Sequence, residues 1–503
     1  MTNLDKVQTA RLAATYVSAA PGYFEKRGLR RHAGVWSLWA LGVGAVISGH
    51  FSGWNLGLAA GGWGGMLIAA AIMAVMFLAL SLCIAEMSTT LPLNGGSYPF
   101  ARFALGPFWG FVSGICEHIE YVLTPAVICY FIGAYLGAIF GPSVPEPVWW
   151  IGTYVVFLAL NMLGVALTFR ITLVITLASL GVLLFFCAVA LPHVDFGRWA
   201  LNIAADGTEL PRGNGPFLPM GWSGVLAALP FAVWLYLAIE ETPLAAEEAV
   251  DPVRDVPKGI LLALATLILT AFLIVAINPA VEGVGAHALA QSGEPVLDGF
   301  RALFGGASAD MLGLIALSGL VASFHAILFA QGRQIFALSR AGYLPSGLSL
   351  TNGGRQTPVV AMLAGSGLGL AFMLILSVSL GQAEAGTLIG SVLLNMAVFG
   401  AMLSYLSRAA AFLVLRRDYP RLPRPFRSPL GRFGGWLTIA ICLVTLVCQV
   451  QDTRFLQGSF WVVIWLALAI AYYLMVARHR LILTPDETAA RKAAQLATDR
   501  LAT

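Results

Sequence analysis

The chain has 503 residues, 58% of them hydrophobic and only 11% charged, where an ordinary soluble domain has about a quarter charged. That composition, with a mean hydropathy of +0.82, exceeds what a soluble core can hide and excludes soluble enzymes, nucleic-acid binders and disordered scaffolds. The net charge of +4 is expected to follow from membrane topology and implies no acidic partner.

In chain order, Met1–His32 is polar and basic with no apolar core, so it is not read as a signal peptide and residues 1–34 are expected to form a cytoplasmic tail. A helix crosses about 30 Å of hydrocarbon in about 20 residues. Runs of that kind predict twelve transmembrane helices, over about 35–60, 64–90, 107–139, 147–168, 170–191, 223–245, 259–278, 311–330, 358–380, 385–407, 435–450 and 459–477. The first contains Gly42, Gly44, Gly49 and Gly53, each costing a helix about 1 kcal/mol relative to alanine, and is predicted to unwind near Ser48 to Phe51. In the third, Glu117, Glu120, Tyr121 and Thr124 recur at helical spacing on one face; His118 turns away, and Pro125 interrupts the ladder behind them. The sixth holds Pro230 and then Glu240-Glu241-Thr242-Pro243, so it too is predicted to break.

Interrupted helices in matching positions of two halves point to a transporter site. Positions one and six predict an all-α fold of two inverted five-helix repeats. These occupy about 35–191 and 223–407 of a transport core over 35–407. Helices 11 and 12 (435–477) and a cytoplasmic tail (478–503) follow. With the N-terminus inside, all but Arg198, Arg212, Arg301 and Arg454 of the 29 Lys and Arg fall on cytoplasmic segments, as the bias of basic residues requires. Arg416, Arg417, Arg421, Arg424, Arg427 and Arg432 then read as a topology anchor beside lipid headgroups, not as a nucleic-acid surface.

On this count no Lys or Arg remains for the membrane interior, whereas Glu86, Glu117, Glu120, Glu240 and Glu241 all lie in apolar spans. A carboxylate there costs about 2.5–3.5 kcal/mol on insertion scales, so these groups are expected to face a cavity, hold a proton or meet a cation from solution. Glu86, near a span end, is read as protonated and bonded to backbone. The six cysteines sit in apolar runs without a Cys-x-x-Cys pair and are expected to be small hydrophobes, with no metal or other cofactor.

Four segments resemble the amino acid, polyamine and organocation superfamily of secondary transporters: the glycine-rich stretch 42–51; Pro92 with Gly95-Gly96-Ser97-Tyr98 and Arg102; Asp251-Pro252-Val253-Arg254-Asp255-Val256-Pro257-Lys258-Gly259; and Arg333-Gln334-Ile335-Phe336-Ala337-Leu338-Ser339-Arg340 through Pro345. Within it, Trp39–Gly44, Pro230–Trp234, Leu237–Glu240, Ala245–Glu248 and Gly319–His325 read most like bacterial ethanolamine permeases. The resemblance implies a leucine-transporter-like fold in a bacterial cytoplasmic membrane and transport of a small amine without chemical change. It implies that Ile47, Ser48, Gly49 and His50, together with Ala238, Ile239 and Glu240, line the site with backbone groups, with Trp234 stacking over the substrate as an outer gate. Phe51, Glu120, Tyr121, Glu241, Ser323 and Phe324 complete the candidate set.

Two positions depart from that group, which usually has an acid after the Ser-Gly of span one and a glycine after the Ile-Glu of span six; here stand His50 and Glu241. Glu241 is expected to replace the missing acid from across the cavity, or else the substrate differs, an amino acid permease being the alternative. The 171–191 stretch has no lysine of the kind proton-coupled relatives carry there, and Ser318 and Ser323 form no adjacent hydroxyl pair for sodium; proton-linked transport or exchange is expected, with passive equilibration as the alternative. Gly221-Trp222-Ser223-Gly224 resembles an intramembrane protease motif, but it lies at a helix entry, where serine caps. No His-Glu-x-x-His or phosphate-binding loop is present, and no enzyme is expected.

Overall fold

The computed structural model describes residues 14–499 apart from 30, 92, 94, 352–355, 381–384 and 452; Pro92, Arg355 and the outer parts of both tails lie outside the described residues. The described chain is an all-α polytopic membrane protein. Pairing outside helices is confined to isolated bridges such as Tyr16 with Leu481 and Ala33 with Ala249. Each expected span has its helix. The uninterrupted ones include Pro107–Phe140, Glu146–Met162, Val165–Ala190, Pro252–Ile277, Gly306–Arg340, Val359–Leu380, Ala385–Asp418, Gly431–Gln451 and Thr453–Met475.

Burial sorts these helices into an inner and an outer set. In Ile389–Asp418 the most apolar window is 83% buried, and in the third and eighth spans 72%, against 17% for Gly458–His479. The inner helices therefore hold the polar residues, and the outer ones present apolar surface to lipid.

The first span runs as Val35–Val46 and Ser48–Phe51, then leaves the helix at Ser52 (φ −164°, ψ 158°) and Gly53 (φ 93°) before resuming at Trp54. The full interruption thus falls just after the expected Ser48–Phe51, which keeps a helical turn. A kink at Gly62 separates this span from the second. The sixth span stays helical through Pro230 and ends at Val233; turns occupy 234–238 and a 3₁₀ helix runs over Ile239–Glu248. The tenth span overruns its expected end at 407 and continues as helix to Asp418, which carries Arg408 into the protein interior.

Residues 15 and 17 pair with 478 and 481, and Arg102 pairs with Glu487 at 3.3 Å. The described parts of the two tails therefore meet on one face.

Candidate functional site

The interruptions of spans one and six lie against each other. A Cβ on Gly49 would come 2.2 Å from the Trp234 carbonyl oxygen, so only glycine permits this approach. Trp234 Nε1 donates to the Ser52 carbonyl at 3.1 Å, and the Tyr135 hydroxyl donates to the Phe51 carbonyl at 2.9 Å. These side chains satisfy carbonyls that the interrupted helix frees. At the other interruption Ala238 sits at φ 77°, a left-handed conformation that costs a non-glycine residue about 1–2 kcal/mol and is held by complete burial.

Ser323 of the eighth span enters the helical ladder of span one. Its hydroxyl donates to the Gly44 carbonyl at 2.6 Å and accepts from the Ser48 N–H at 2.8 Å, the pair that an unbroken helix would join directly. A side chain inserted between such partners is a recognised cause of a kink. Phe324 faces elsewhere: its ring meets Tyr154 and Phe157 of the fourth span, with centroids 4.9 and 5.9 Å away.

The acids form two groups. In the first, the Tyr405 hydroxyl lies 2.9 Å from Glu240 Oε2 and 3.2 Å from Glu120 Oε1, and Tyr121 reaches Glu240 Oε1 at 3.4 Å. One phenolic proton therefore serves two carboxylates. The polar stripe of span three supplies Glu120 and Tyr121, as its spacing predicted. Tyr405 was not legible as their partner, because nothing local in sequence ties the tenth span to the third and sixth.

In the second group the expectation of unpaired acids is corrected. Glu117 is ion-paired with buried Arg408 and accepts from Ser97, at 3.2 Å from its N–H and 2.9 Å from its hydroxyl. Gly96 (φ 78°) brings that N–H in, and a Cβ there would lie 2.7 Å from Glu117 Oε1. The Gly95-Gly96-Ser97 segment thus wraps a buried carboxylate. Glu86, expected to be protonated, is ion-paired with Arg416 at 2.5 Å and Arg424 at 3.0 Å and accepts from the Ser428 N–H at 2.7 Å. The basic count had placed all three arginines outside the interior.

Glu241 is buried, and neither of its carboxylate oxygens has a hydrogen-bond partner among the described residues. His50 Nδ1 lies 3.4 Å from the Thr270 hydroxyl, and no hydrogen bond or ion pair joins His50 to Glu241. His118 turns away from the acid stripe, with its Nδ1 3.3 Å from Gln334. Ser223 donates to the Met220 carbonyl at 2.8 Å within the first turn of its helix, which is a bond of the helix entry.

Both ends of the site are closed. On one side Ser52 donates to the Gly293 carbonyl at 2.6 Å, and Asn55 donates to Leu289 and Ser292 carbonyls at 2.6 and 2.8 Å. On the other, Glu248 pairs with Arg333 and Glu247 with Arg340, each at 2.9 Å, while Ala33 bridges to Ala249. The motif beginning at Arg333 thus supplies one closure, and Asp251 caps the next helix through the Arg254 N–H at 3.3 Å. Ile47, Ser48, His50, Phe51, Glu120, Tyr121, Trp234, Ala238, Ile239, Glu240, Glu241, Ser323 and Phe324 are all at most 3% exposed, so solvent outside the protein does not reach these side chains in this conformation.

Comparison with known proteins follows the same lines. A family model described as amino acid permease matches residues 34–474. A methylthioribose transporter of Bacillus subtilis (strain 168) is 26% identical over 486 residues, covering 91% of this chain and 96% of the relative. A branched-chain amino acid permease of the same organism is 27% identical over 476 residues, covering 90% and 94%. An uncharacterized transporter of Rhizobium meliloti (strain 1021) is 30% identical over 359 residues, covering 69% and 73%.

Proposed function

The chain belongs to the amino acid permease family, and from that membership we propose that it moves a small solute bearing an ammonium group across the membrane by alternating access. One observation carries the choice of solute: Glu120, Glu240 and Glu241 are buried beside the two interrupted spans, among the described residues no ion pair reaches any of them, and the nearby Arg408, whose field also reaches Glu120 and Glu240, is ion-paired with Glu117 and so leaves three carboxylates without a cation of their own. A buried acid without a resident cation is stabilised by a proton or by a positive guest. An ammonium group brings that charge, and carbonyls freed where the helices break supply further acceptors.

In the proposed cycle the solute enters when the contacts of Ser52 and Asn55 to the 289–293 loop open and Trp234 releases Ser52. Trp234 then acts as the outer gate. Exit on the other side needs separation of Glu248 from Arg333. Glu120 and Glu240 flank a single phenolic hydroxyl, so one additional proton satisfies the pair, and an arriving ammonium replaces it. That exchange makes transport proton-linked.

Two solute classes fit, and different observations favour them. A free amine such as ethanolamine suits the acid cluster, and it also suits the occupied Ser48 N–H, which a substrate carboxylate would have to win from Ser323. The amino acid reading is supported by the name of the branched-chain relative. Counterflow in proteoliposomes with ethanolamine, leucine, leucinol, glutamate and arginine as competitors separates them. Inhibition by ethanolamine and leucinol but not leucine supports the amine, and inhibition by leucine but not leucinol supports the amino acid. If no amine or amino acid competes or raises the melting temperature, the ammonium reading fails; saturation at 100 times Kd should add about 2.7 kcal/mol.

A further inference from the structure

Two cavities meet where the tenth span hands over to the eleventh. One, of about 640 Å³, is lined by Arg416, Arg424, Arg427 and Arg432 together with Pro420 and Leu422. The other, of about 320 Å³, is an apolar groove whose walls include Leu413, Val414, Trp436 and Ile439, and Arg432 belongs to both.

The charge around the first cavity is unbalanced. Among the described residues Glu86 is the one carboxylate ion-paired with these four arginines, and it engages Arg416 and Arg424. Arg424 is further committed to the carbonyls of Leu415, Tyr419, Pro420 and Leu422. Arg427 and Arg432 are exposed and have no ion pair or hydrogen bond among the described residues. Gly431 opens the 21-residue helix Gly431–Gln451 at the same place, so the positive end of its dipole adds to the field. Phe433 and Trp436, 65% and 62% exposed, stand on the first turns of that helix, where aromatic residues mark the boundary between headgroups and hydrocarbon.

A basic chamber at headgroup level that continues into an apolar groove between two spans complements a molecule with an anionic head and a hydrocarbon tail. We propose that this junction is a specific site for one acidic phospholipid, its phosphate held by Arg427 and Arg432 and one acyl chain lying in the groove along Trp436 and Ile439. The occupied lipid ties the tenth span, which carries Tyr405 and Arg408, to the eleventh. This inference stands independently of which solute is carried.

The test uses the full chain in nanodiscs and in detergent, with native mass spectrometry and thermal melting as readouts. Dioleoyl phosphatidylglycerol should remain bound at one copy and raise the melting temperature relative to dioleoyl phosphatidylcholine. R427Q/R432Q should weaken that binding roughly 30-fold, from about one kcal/mol for each arginine near a lipid surface, while melting in phosphatidylcholine stays unchanged, because neither side chain holds the fold together. Ile439→Trp, which fills the groove, should reduce phosphatidylglycerol binding with both arginines intact. The proposal is overturned if R427Q/R432Q retains the lipid as the parent chain does, if Ile439→Trp binds it equally well, or if inorganic phosphate alone reproduces the stabilisation, which would make the chamber a site for a soluble anion.

Discussion

Replacing Tyr405 by phenylalanine removes one oxygen and no bulk from the centre of the acid cluster. That oxygen is the hydrogen-bond partner of Glu120 Oε1 at 3.2 Å, so the variant takes from Glu120 its hydroxyl contact and leaves its carboxyl against that of Glu240. Glu240 loses its 2.9 Å contact and keeps the weaker one to Tyr121 at 3.4 Å. A hydrogen bond to a charged group contributes about 1.5–3 kcal/mol, which corresponds to roughly 10- to 100-fold in affinity if the hydroxyl sets the carboxylates for an incoming ammonium. Kd for the transported amine from thermal melting, together with counterflow in proteoliposomes, should show that loss. Tyr121→Phe is the internal comparison: its single contact is long, so its effect should stay within about threefold. The reasoning is refuted if Tyr405→Phe and Tyr121→Phe both bind as the parent chain does, or if Tyr405→Phe melts lower while its Kd is unchanged, which would make the hydroxyl purely structural.

Ser323→Ala should leave the Gly44 carbonyl and Ser48 N–H without their bridge, at a cost of about 1–3 kcal/mol, seen as a lower melting temperature and faster amide exchange at Ser48; unchanged exchange counts against the bridge. Gly49→Ala should abolish uptake by forcing spans one and six apart, since its Cβ would meet the Trp234 carbonyl oxygen, whereas Gly137→Ala, which meets nothing within 4 Å, should transport normally. Glu117→Gln leaves Arg408 buried without its anion and should cost about 3–5 kcal/mol; adding Arg408→Gln should recover part of the loss, and strict additivity of the two would deny the pairing. Burial, reinforced by Asp298, pushes the Glu294 carboxyl in the loop before the eighth span from 4.5 up to about 7. The folded chain then keeps a proton that the unfolded chain releases, so stability is full below pH 4.5 and declines as pH rises to about 7. Glu294→Gln should flatten that decline in melting temperature, and an equal slope would contradict it.

The twelve spans and the breaks in the first and sixth were legible because they are local properties: apolar run length, glycine density, and proline beside paired glutamates. Their fine placement was less so. The helix of span six passes through Pro230 and gives way at a left-handed alanine, a conformation imposed by surrounding contacts that residue type does not announce. Ser323 was legible as a polar residue in an apolar helix, but its partners Gly44 and Ser48 lie more than 270 residues away, and only the packed bundle brings them together. Arg408 was misplaced for a physical reason. A basic residue at the end of an apolar run reads as loop under the positive-inside rule, yet a helix can carry it inward when a buried carboxylate with two further hydrogen bonds is waiting. Glu117 provides that, and Gly96 makes it possible.

The ion pairs of Glu86 and Glu117 narrow where unpaired negative charge lies in the interior. When every interior glutamate is taken as unpaired, a cation-accepting pocket could include Glu86 and Glu117, which spreads the negative charge from the second span to the sixth. With arginines assigned to both, the uncompensated charge contracts to Glu120, Glu240 and Glu241, beside the interruption of span six. At these fully buried positions water screens little, so negative charges held together there repel one another at a cost. A single positive guest lowers that cost wherever it binds among them, but a zwitterion also brings a carboxylate that must lie on the far side, toward span one. There the Ser48 N–H is held by Ser323 and His50 is the one titratable side chain on the interrupted segment. Exchanging His50 for aspartate, the acid that ethanolamine permeases usually carry after Ser-Gly, therefore separates the solutes by sign: it should strengthen binding of a free amine and weaken binding of an amino acid, and equal effects on both would detach His50 from solute selection.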